Sequence, residues 1–177
     1  MRMIVVTGMP GAGKEEFLSA GIKAGVPFVR MGDVVRDTYA QSDAEAEGLS
    51  VGQFAGRERE RFGKDIWAKR AMDRMKGIDL FIVDGCRSMD EIRSFRSLGG
   101  EVSIVAVHAA PGTRYERLVK RGRDDAPHNT DEFDERDRRE LSWGVGEVLA
   151  LSDYMVVNMS DLEDFHRRSE ELLRSLR

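Results

Sequence analysis

Cysteine is almost absent from the chain, since Cys86 is the only one among its 177 residues. A single cysteine cannot form an intrachain disulfide, which fits a reducing cytoplasm. Long hydrophobic runs are missing as well, because the apolar stretches are strand-length and far short of the about 20 residues that a membrane-spanning helix needs. No signal-peptide pattern precedes the first of them. We therefore expect a cytoplasmic protein with no membrane partner.

A strong excess of positive charge is also missing. The formal net charge is −4, from 28 Lys and Arg against 32 Asp and Glu, so no global basic field points to DNA or RNA as a partner. Hydrophobic residues make up 41% of the chain and charged residues 34%, which indicates a soluble globular domain. Most basic residues are arginines, which suit two-point binding of phosphate, although many of them must form surface ion pairs. Nothing in the pattern indicates an oligomeric state.

The most informative stretch is residues 8–14, whose spacing Gly-x4-Gly-Lys is that of a phosphate-binding loop. An apolar, β-branched run precedes it and a helical pattern follows it. Its glycines let the backbone turn tightly and bring N–H groups to a phosphate, while the helix N-terminus and Lys14 add positive charge. A plain Gly/Pro turn is the alternative, but it does not explain why all these features coincide. The residues expected to bind ATP here are Gly8, Met9, Pro10, Gly11, Ala12, Gly13, Lys14, Glu15 and Glu16.

Apolar segments alternate with helical patterns along the whole chain, which predicts an α/β fold with a doubly wound parallel sheet. We expect the three-layer α/β/α architecture of P-loop NTPases, with ligands beyond the C-terminal ends of the strands. The five expected strands cover about 2–7, 26–30, 79–84, 102–108 and 153–157. The expected divisions are a core of 1–36, 77–112 and 142–177, a helical acceptor-binding segment at 37–76, and a short lid at 113–141.

Charged residues follow the second and third strands. Asp33 and Arg36 lie three apart on one helical face, and Arg36 is placed either to hold a second anionic ligand or to sit on the surface. Residues 80–84 are four apolar residues and an acid, a Walker-B-like pattern in which Asp84 is a candidate Mg²⁺ ligand through water. Arg87 follows at the same strand end, so we expect it to face the same crevice as Arg36.

The segment at 37–76 is long for one crossover. A capping box formed by Ser50 and Gln53 starts a helix that carries Arg57, and Trp67 in the next helix is expected in the core. We interpret the segment as a cover over a second substrate, with Arg57 among the acceptor-binding residues. A long crossover packed on the sheet is the alternative. Two more capping boxes are expected, at 88–91 and 160–163.

Two arginine-bearing helices flank a polar tip at about 122–130. Pro111 starts the first helix, whose basic face includes Arg114, and the second helix resumes near residue 131. Such a hairpin could close over the crevice, exclude water and bring guanidinium groups to the transferring phosphoryl. A solvated charged hairpin is the alternative, since acids are mixed in. We expect Arg117 to bind the nucleotide, and the residues assigned to catalysis are Lys14, Arg121, Arg123 and Arg136.

These motifs resemble those of adenylate kinases. Residues 8–14 resemble their phosphate loop, Gly32-Asp33…Arg36 their acceptor element, Asp84-Gly-x-Arg87 the strand end that supplies a second acceptor arginine, and Glu116-Arg117…Arg121 with Arg136 their lid. Over essentially its whole length the chain is similar to an archaeal family of adenylate-kinase-related proteins of largely unassigned function. The stretches that carry this similarity are Met31-Gly-Asp-Val-Val-Arg36, Val83-Asp-Gly-x-Arg-Ser88, Glu135-Arg-Asp-x-Arg-Glu-Leu141 and Asp153-Tyr-Met-Val-Val-Asn158, the last of which is also similar to dephospho-coenzyme A kinases.

The resemblance implies an ATP-binding core, a nucleotide-acceptor segment and a lid, and it does not fix the acceptor. The leading hypothesis is a P-loop kinase that moves the γ-phosphoryl of ATP, with Mg²⁺, to a small nucleotide-like acceptor. Two features depart from the adenylate kinase pattern: the lid is short, without metal-binding cysteines, and Lys14 is followed by Glu15 and Glu16 rather than by a hydroxyl that binds Mg²⁺. A carboxylate there either replaces the hydroxyl as a metal ligand or repels the phosphates. Two alternatives stay open, a dephospho-coenzyme A kinase with Asp33 as base, and an ATP-binding switch or assembly factor without a small-molecule acceptor.

Overall fold

The sheet is the central layer of the protein, for which a computed structural model describes residues 1–122 and 126–177. Its strands are β1 (Arg2–Thr7), β2 (Phe28–Arg30), β3 (Leu80–Asp84), β4 (Glu101–His108) and β5 (Tyr154–Val157). They run parallel in the order β2-β3-β1-β4-β5. The predicted α/β fold is confirmed, and each strand ends within two residues of its expected bounds. Arg123, one of the arginines assigned to the lid, lies outside the described residues.

Helices follow the strands as the alternating pattern predicts. The first five are α1 (Lys14–Lys23), α2 (Met31–Ala40), α3 (Val51–Phe62), α4 (Ile66–Asp73) and α5 (Met89–Ser97). The remaining described helices are α6 (Pro111–Arg121), α7 (Thr130–Ser142), α8 (Val145–Ala150) and α9 (Leu162–Ser175). None of the helices within the described ranges combines the length and the apolar character needed to cross a membrane.

Apolar side chains cover both faces of the sheet, because successive residues of a strand point to opposite sides. Met3 and Val5 of β1 join one core cluster, and Ile4 and Val6 join the other. The first cluster packs under α2 to α5 and contains Trp67, which is fully buried as predicted. The second packs under α1 and α9. The result is the three-layer arrangement.

Three capping boxes were expected and two form. Ser50 accepts a hydrogen bond from the backbone of Gln53, and Ser88 does the same for Glu91 at the start of α5. The third prediction is wrong by one residue, because Asp161 caps α9 and the Ser160 hydroxyl instead contacts the Asp164 carboxylate. An Asp side chain caps as well as Ser, so the pattern alone did not distinguish the two starts.

Candidate active site

The phosphate loop connects β1 to α1 and needs glycine at two tight points. Gly13 has φ 105° just before α1, and a Cβ there would lie 2.1 Å from Nδ2 of Asn158. Gly11 has φ 79°, and a Cβ there would lie 2.7 Å from the carbonyl oxygen of Arg114. Both positions are therefore closed to side chains by conformation and by neighbours. The neighbours, Asn158 and Arg114, come from distant parts of the chain.

Arg114 of α6 holds the phosphate loop in place through its side chain. Its guanidinium is buried, donates to the carbonyl of Pro10 at 3.1 Å, and forms two hydrogen bonds with Asp137 of α7, one of them at 2.9 Å. It also lies over the ring of Phe133, 4.9 Å from the centroid. Arg114 was expected only on the basic face of α6. No local pattern marks its structural role, because both partners are remote in sequence.

Asn158 also holds the phosphate loop, through a different backbone carbonyl. It follows β5 directly and is buried. Its amide donates to the carbonyl of Ala12 at 2.9 Å, while its backbone carbonyl accepts from Arg117 at 3.1 Å. The sequence analysis assigned it no function, although its place just after a strand was a signal. Asn158 thus joins the phosphate loop to α6.

Lys14 lies at the inner end of the loop. Its Nζ donates to the carbonyls of Gly8 and Met9, at 2.7 and 3.1 Å. Burial lowers the pKa of Lys14, although the negative charges of Asp84 and Glu140 partly oppose that shift. The ammonium therefore lies among carbonyls and carboxylates, at the point where the loop faces the crevice.

A crevice of about 510 Å³ lies along the C-terminal edge of the sheet. It joins the phosphate loop to the ends of β2, β3 and β5 and to the inner faces of α6 and α7. Met9 and Ala12 are buried, and neither they nor Asp33 and Arg57 line this crevice. The expected site residues that line it are Gly8, Pro10, Gly11, Gly13, Lys14, Glu15, Glu16, Arg36, Asp84, Arg87, Arg117, Arg121 and Arg136.

Asp84 ends β3 inside this crevice and fits a metal-binding role. Burial raises the pKa of its carboxyl, and the charges of Lys14 and Arg30 counteract the rise only in part. Its Oδ1 is buried and has no hydrogen-bond partner among the described residues. The same residues include no cluster of three or more His, Cys, Asp or Glu that could hold a metal. A hydrated Mg²⁺ shared with nucleotide phosphates needs only one such carboxylate.

Arg87 follows Asp84 by three residues and is held by Glu140 of α7. Its Nε donates to Glu140 of α7 at 2.6 Å, and its guanidinium lies 5.5 Å from the Trp143 ring centroid. Burial alone would lower the pKa of Arg87, but Glu140 more than offsets this and raises it. Burial likewise would raise the pKa of Glu140, yet Arg87 holds it below its ordinary value. The two shifts agree in describing a strong ion pair, in which Glu140 is buried and Arg87 is half-buried.

A second buried pair supports the backbone at Arg87. Glu91 is fully buried, accepts from the Arg87 backbone N–H at 2.7 Å, and also accepts from Nη2 of Arg59 at 3.1 Å. Arg59 in turn lies 4.9 Å from the Trp143 ring centroid. The capping box predicted the local position of Glu91 but not this pairing with α3. Helix α3 is therefore tied to the same crevice wall as α7.

Two other expected acceptor residues are placed differently. Arg36 lines the crevice but forms an exposed ion pair with Asp33, on the helical face that their spacing predicts. Arg57 forms an ion pair with Glu47 and lies over the ring of Phe54. The structure therefore does not bring Arg57 together with the other expected acceptor residues.

The two glutamates after Lys14 face different partners. Glu15 lies 4.0 Å from Arg121 of α6, which is at the limit of an ion pair. Glu16 contacts Nε2 of His166 on α9 at 2.8 Å. Both line the crevice, so their charge reaches any phosphate that the loop holds. His166 was not singled out from the sequence.

This combination of loop, strand-end acid and surrounding arginines defines a protein with the P-loop NTPase fold. The chain matches the family model described as "AAA domain" over residues 4–141. It is 42% identical over 171 residues to a UPF0200 protein of Thermoplasma volcanium, which covers 97% of this chain and 96% of the relative. It is also 42% identical over 180 residues to a UPF0200 protein of Thermococcus onnurineus, which covers 98% and 97%. The chain therefore belongs to the UPF0200 family, and the expected archaeal family is confirmed.

Two solved structures show the same fold. One is TT1252 from Thermus thermophilus, with a TM-score of 0.68, 16% identity and coverage of 99% of this chain and 97% of that chain. The other is a gluconokinase from Sinorhizobium meliloti 1021, with a TM-score of 0.60, 16% identity and coverage of 98% and 93%. At this identity the likeness concerns the fold and not the substrate.

Proposed function

We propose that this protein is an ATP-dependent kinase that transfers the γ-phosphoryl group to a small nucleotide-like acceptor. The observation that carries the proposal is one continuous crevice with a phosphate loop at one side and an arginine-lined wall at the other. Asp84 lies between them. We call the side of the phosphate loop, Arg117 and Arg121 the donor half, and the side of Arg36 and Arg87 the acceptor half.

The donor half would hold ATP. The amides of residues 8–14 and the Lys14 ammonium would bind the β- and γ-phosphates. Arg117 offers a buried Nη1 that has no hydrogen-bond partner in the described part of the chain. A buried guanidinium donor without a partner is costly, and an anionic ligand would satisfy it. This supports Arg117 as a nucleotide-binding residue.

The acceptor half would hold the acceptor through its own anionic group. Arg36 and Arg87 are the two residues in this role, and Arg87 is already oriented by Glu140. Asp33 is paired with Arg36 and lies outside the crevice lining, so no observation favours it as the base of a dephospho-coenzyme A kinase. The helical segment at 37–76 would cover this half, and α3 is tied to its wall by Arg59.

Phosphoryl transfer would need only positioning and charge. The acceptor oxygen would attack the γ-phosphorus in line with the departing ADP oxygen, without a covalent enzyme intermediate. Mg²⁺, when bound at Asp84, would supply charge neutralisation between the β- and γ-phosphates. Arg121 and Arg136 line the crevice from the lid and would stabilise the transferring group. Arg123, which the same role would include, lies outside the described residues.

A coupled assay that follows ADP formation tests the proposal. ATP and Mg²⁺ would be supplied with a panel of nucleoside monophosphates, dephospho-coenzyme A and gluconate, and product would be identified by mass spectrometry. We expect stoichiometric phosphorylation of a nucleotide-like acceptor. Hydrolysis without transfer to any of these compounds, stimulated only by a macromolecule, would contradict the proposal and favour an ATP-dependent switch.

A further inference from the structure

Arg30 lines the crevice, and the sequence analysis gave it no role. It is the last residue of β2 and the residue before α2, so strand and helix meet there without a loop. In the parallel register it lies opposite Asp84 of β3. Gly32 and Arg36 line the crevice beside it. Arg30 is therefore at the sheet edge where the acceptor half meets the candidate metal ligand.

Arg30 differs from the other two acceptor-half arginines because no carboxylate forms an ion pair with it among the described residues. Arg36 is paired with Asp33, and Arg87 is paired with Glu140. For Arg30, no ion pair with another described residue occurs, and its buried Nε has no hydrogen-bond partner among them. Its guanidinium lies 4.9 Å from the ring centroid of Phe28. Stacking on a ring holds a guanidinium in place while it leaves the N–H groups to bind something else.

We propose that Arg30 binds an anionic group of the acceptor and makes the acceptor half select a phosphomonoester over a carboxylate or an uncharged hydroxyl compound. This inference rests on the proposed kinase function and narrows its substrate class. Two of the three arginines here form ion pairs with carboxylates, whereas Arg30 forms none with a described residue and keeps N–H groups for an anionic ligand. A phosphomonoester carries nearly two negative charges and three acceptor oxygens, and can therefore engage several guanidinium groups at once.

The position of Arg30 also addresses an electrostatic difficulty at the site. An acceptor phosphate that approaches the γ-phosphate must come close to the Asp84 carboxylate, which would repel it. Arg30 lies directly opposite Asp84 in the register of β2 and β3, so its positive charge is close to that carboxylate. Lys14 lies on the donor side and Arg30 on the acceptor side. Arg30 would thus offset the charge of Asp84 on the side from which the acceptor arrives.

Equilibrium binding tests this inference without turnover. The donor half would be saturated with AMP-PNP and Mg²⁺, and AMP, adenosine and gluconate would be titrated as probes by calorimetry. In Arg30→Gln we expect the affinity for AMP to fall by about 10- to 100-fold, the range for one charged hydrogen-bonding group. The affinity for AMP-PNP should change by less than about twofold, because Arg30 lies outside the donor half. Arg96→Gln, an exposed arginine of α5, is the matched control and should bind all ligands as the wild type does.

Three results would overturn the inference. They are an unchanged AMP affinity in Arg30→Gln, an equal loss of affinity for AMP-PNP in that variant, and a wild-type protein that binds gluconate or adenosine more tightly than AMP.

If circular dichroism shows that Arg30→Gln does not fold, a second pair of variants replaces it. Arg30→Lys keeps the charge and should retain more AMP affinity than Arg30→Met. Arg30-dependent binding of AMP without phosphoryl transfer would contradict only the proposed kinase function. Transfer to AMP that does not depend on Arg30 would contradict only this inference.

Discussion

The two halves of the crevice are built in different ways. The phosphate loop of the donor half is one contiguous stretch, and its neutral backbone carbonyls are held by remote side chains: Pro10 accepts from Arg114, and Ala12 accepts from Asn158. The acceptor half draws its arginines from β2, α2 and the β3–α5 connection, and carboxylates hold two of them. Substitutions in the donor half should therefore abolish ATP chemistry outright, while those in the acceptor half should act on acceptor binding and depend on pH.

Loss of Lys14 should give the largest effect. In Lys14→Ala we expect kcat/KM to fall by at least about 10²-fold, the typical loss for one preorganised charge at a transition state. The circular dichroism spectrum and Tm should show an intact fold, because Asn158 and Arg114 still hold the loop. The measurement is the steady-state rate with the acceptor that the panel assay identifies. Near-normal turnover in this variant would contradict a role of the phosphate-loop lysine in catalysis.

The phosphate loop could be predicted from the sequence because its information is local. Glycine spacing, the lysine and the flanking strand and helix all lie within 20 residues, so one short pattern specified the loop at 8–14. The strands were found for the same reason, since buried parallel strands are short apolar runs. The order of the strands, and with it the neighbours of Asp84, came only from the structure.

The acceptor half was predicted in part, because its contacts join distant residues. Arg36 and Arg87 were found from their places after strands, but the partner of Arg87 is Glu140, 53 residues away. Arg30, which lines the same crevice, was not singled out because it is the last residue of a strand rather than the first after it. Arg57 was expected to bind the acceptor because segment 37–76 was interpreted as a cover over a second substrate, but it pairs with Glu47 and does not line the crevice. The sequence does not say which way its helix faces, because tertiary packing decides that.

Glu140→Gln tests whether carboxylates organise the acceptor half. We expect the KM for the acceptor to rise by about tenfold, because Arg87 loses the charged partner that orients it, with a change of less than about twofold in the KM for ATP. Steady-state kinetics with each substrate varied in turn separates the two constants. Glu147→Gln, at an exposed position of α8, is the matched control. A KM for the acceptor that falls would show that Glu140 competes with the acceptor instead.

The same variant has a signature in pH. Arg87 holds the pKa of Glu140 below its ordinary value of 4.5. A depressed pKa means that the ion pair stabilises the fold above pH 4.5 and that this stabilisation is lost as the pH falls through the folded-state pKa. The Tm of Glu140→Gln should therefore lie below that of the wild type at pH 7, and the two values should converge in acid. Equal Tm values at pH 7 would contradict a strong pair.

Asp84→Asn should separate stability from function. Burial raises the pKa of the Asp84 carboxyl above its ordinary value of 3.8. The native protein therefore binds the carboxyl proton more tightly than the unfolded chain does. As a result, the free energy of unfolding falls as the pH rises from 3.8 through the native pKa. Asparagine removes the buried charge, so we expect the Tm at pH 7 to rise by about 2–4 °C, the shift for about 1 kcal/mol. Dependence of turnover on Mg²⁺ should be lost. Asp79→Asn, which is exposed, is the control, and a lowered Tm in Asp84→Asn would show that Lys14 needs this partner.

The smallest effect is expected at Arg57. The sequence predicts that this arginine binds the acceptor, whereas the structure places it outside the crevice. Its partner is Glu47, and it does not line the crevice, so Arg57→Gln should change the KM for either substrate by less than about twofold. Its Tm should also stay within about 2 °C of the wild type, because exposed ion pairs contribute little to stability. If the KM for the acceptor instead rose as it should in Glu140→Gln, segment 37–76 would have to swing its α3 face over the acceptor during turnover. The acceptor half would then change shape during turnover through movement of segment 37–76, while the donor half would stay fixed.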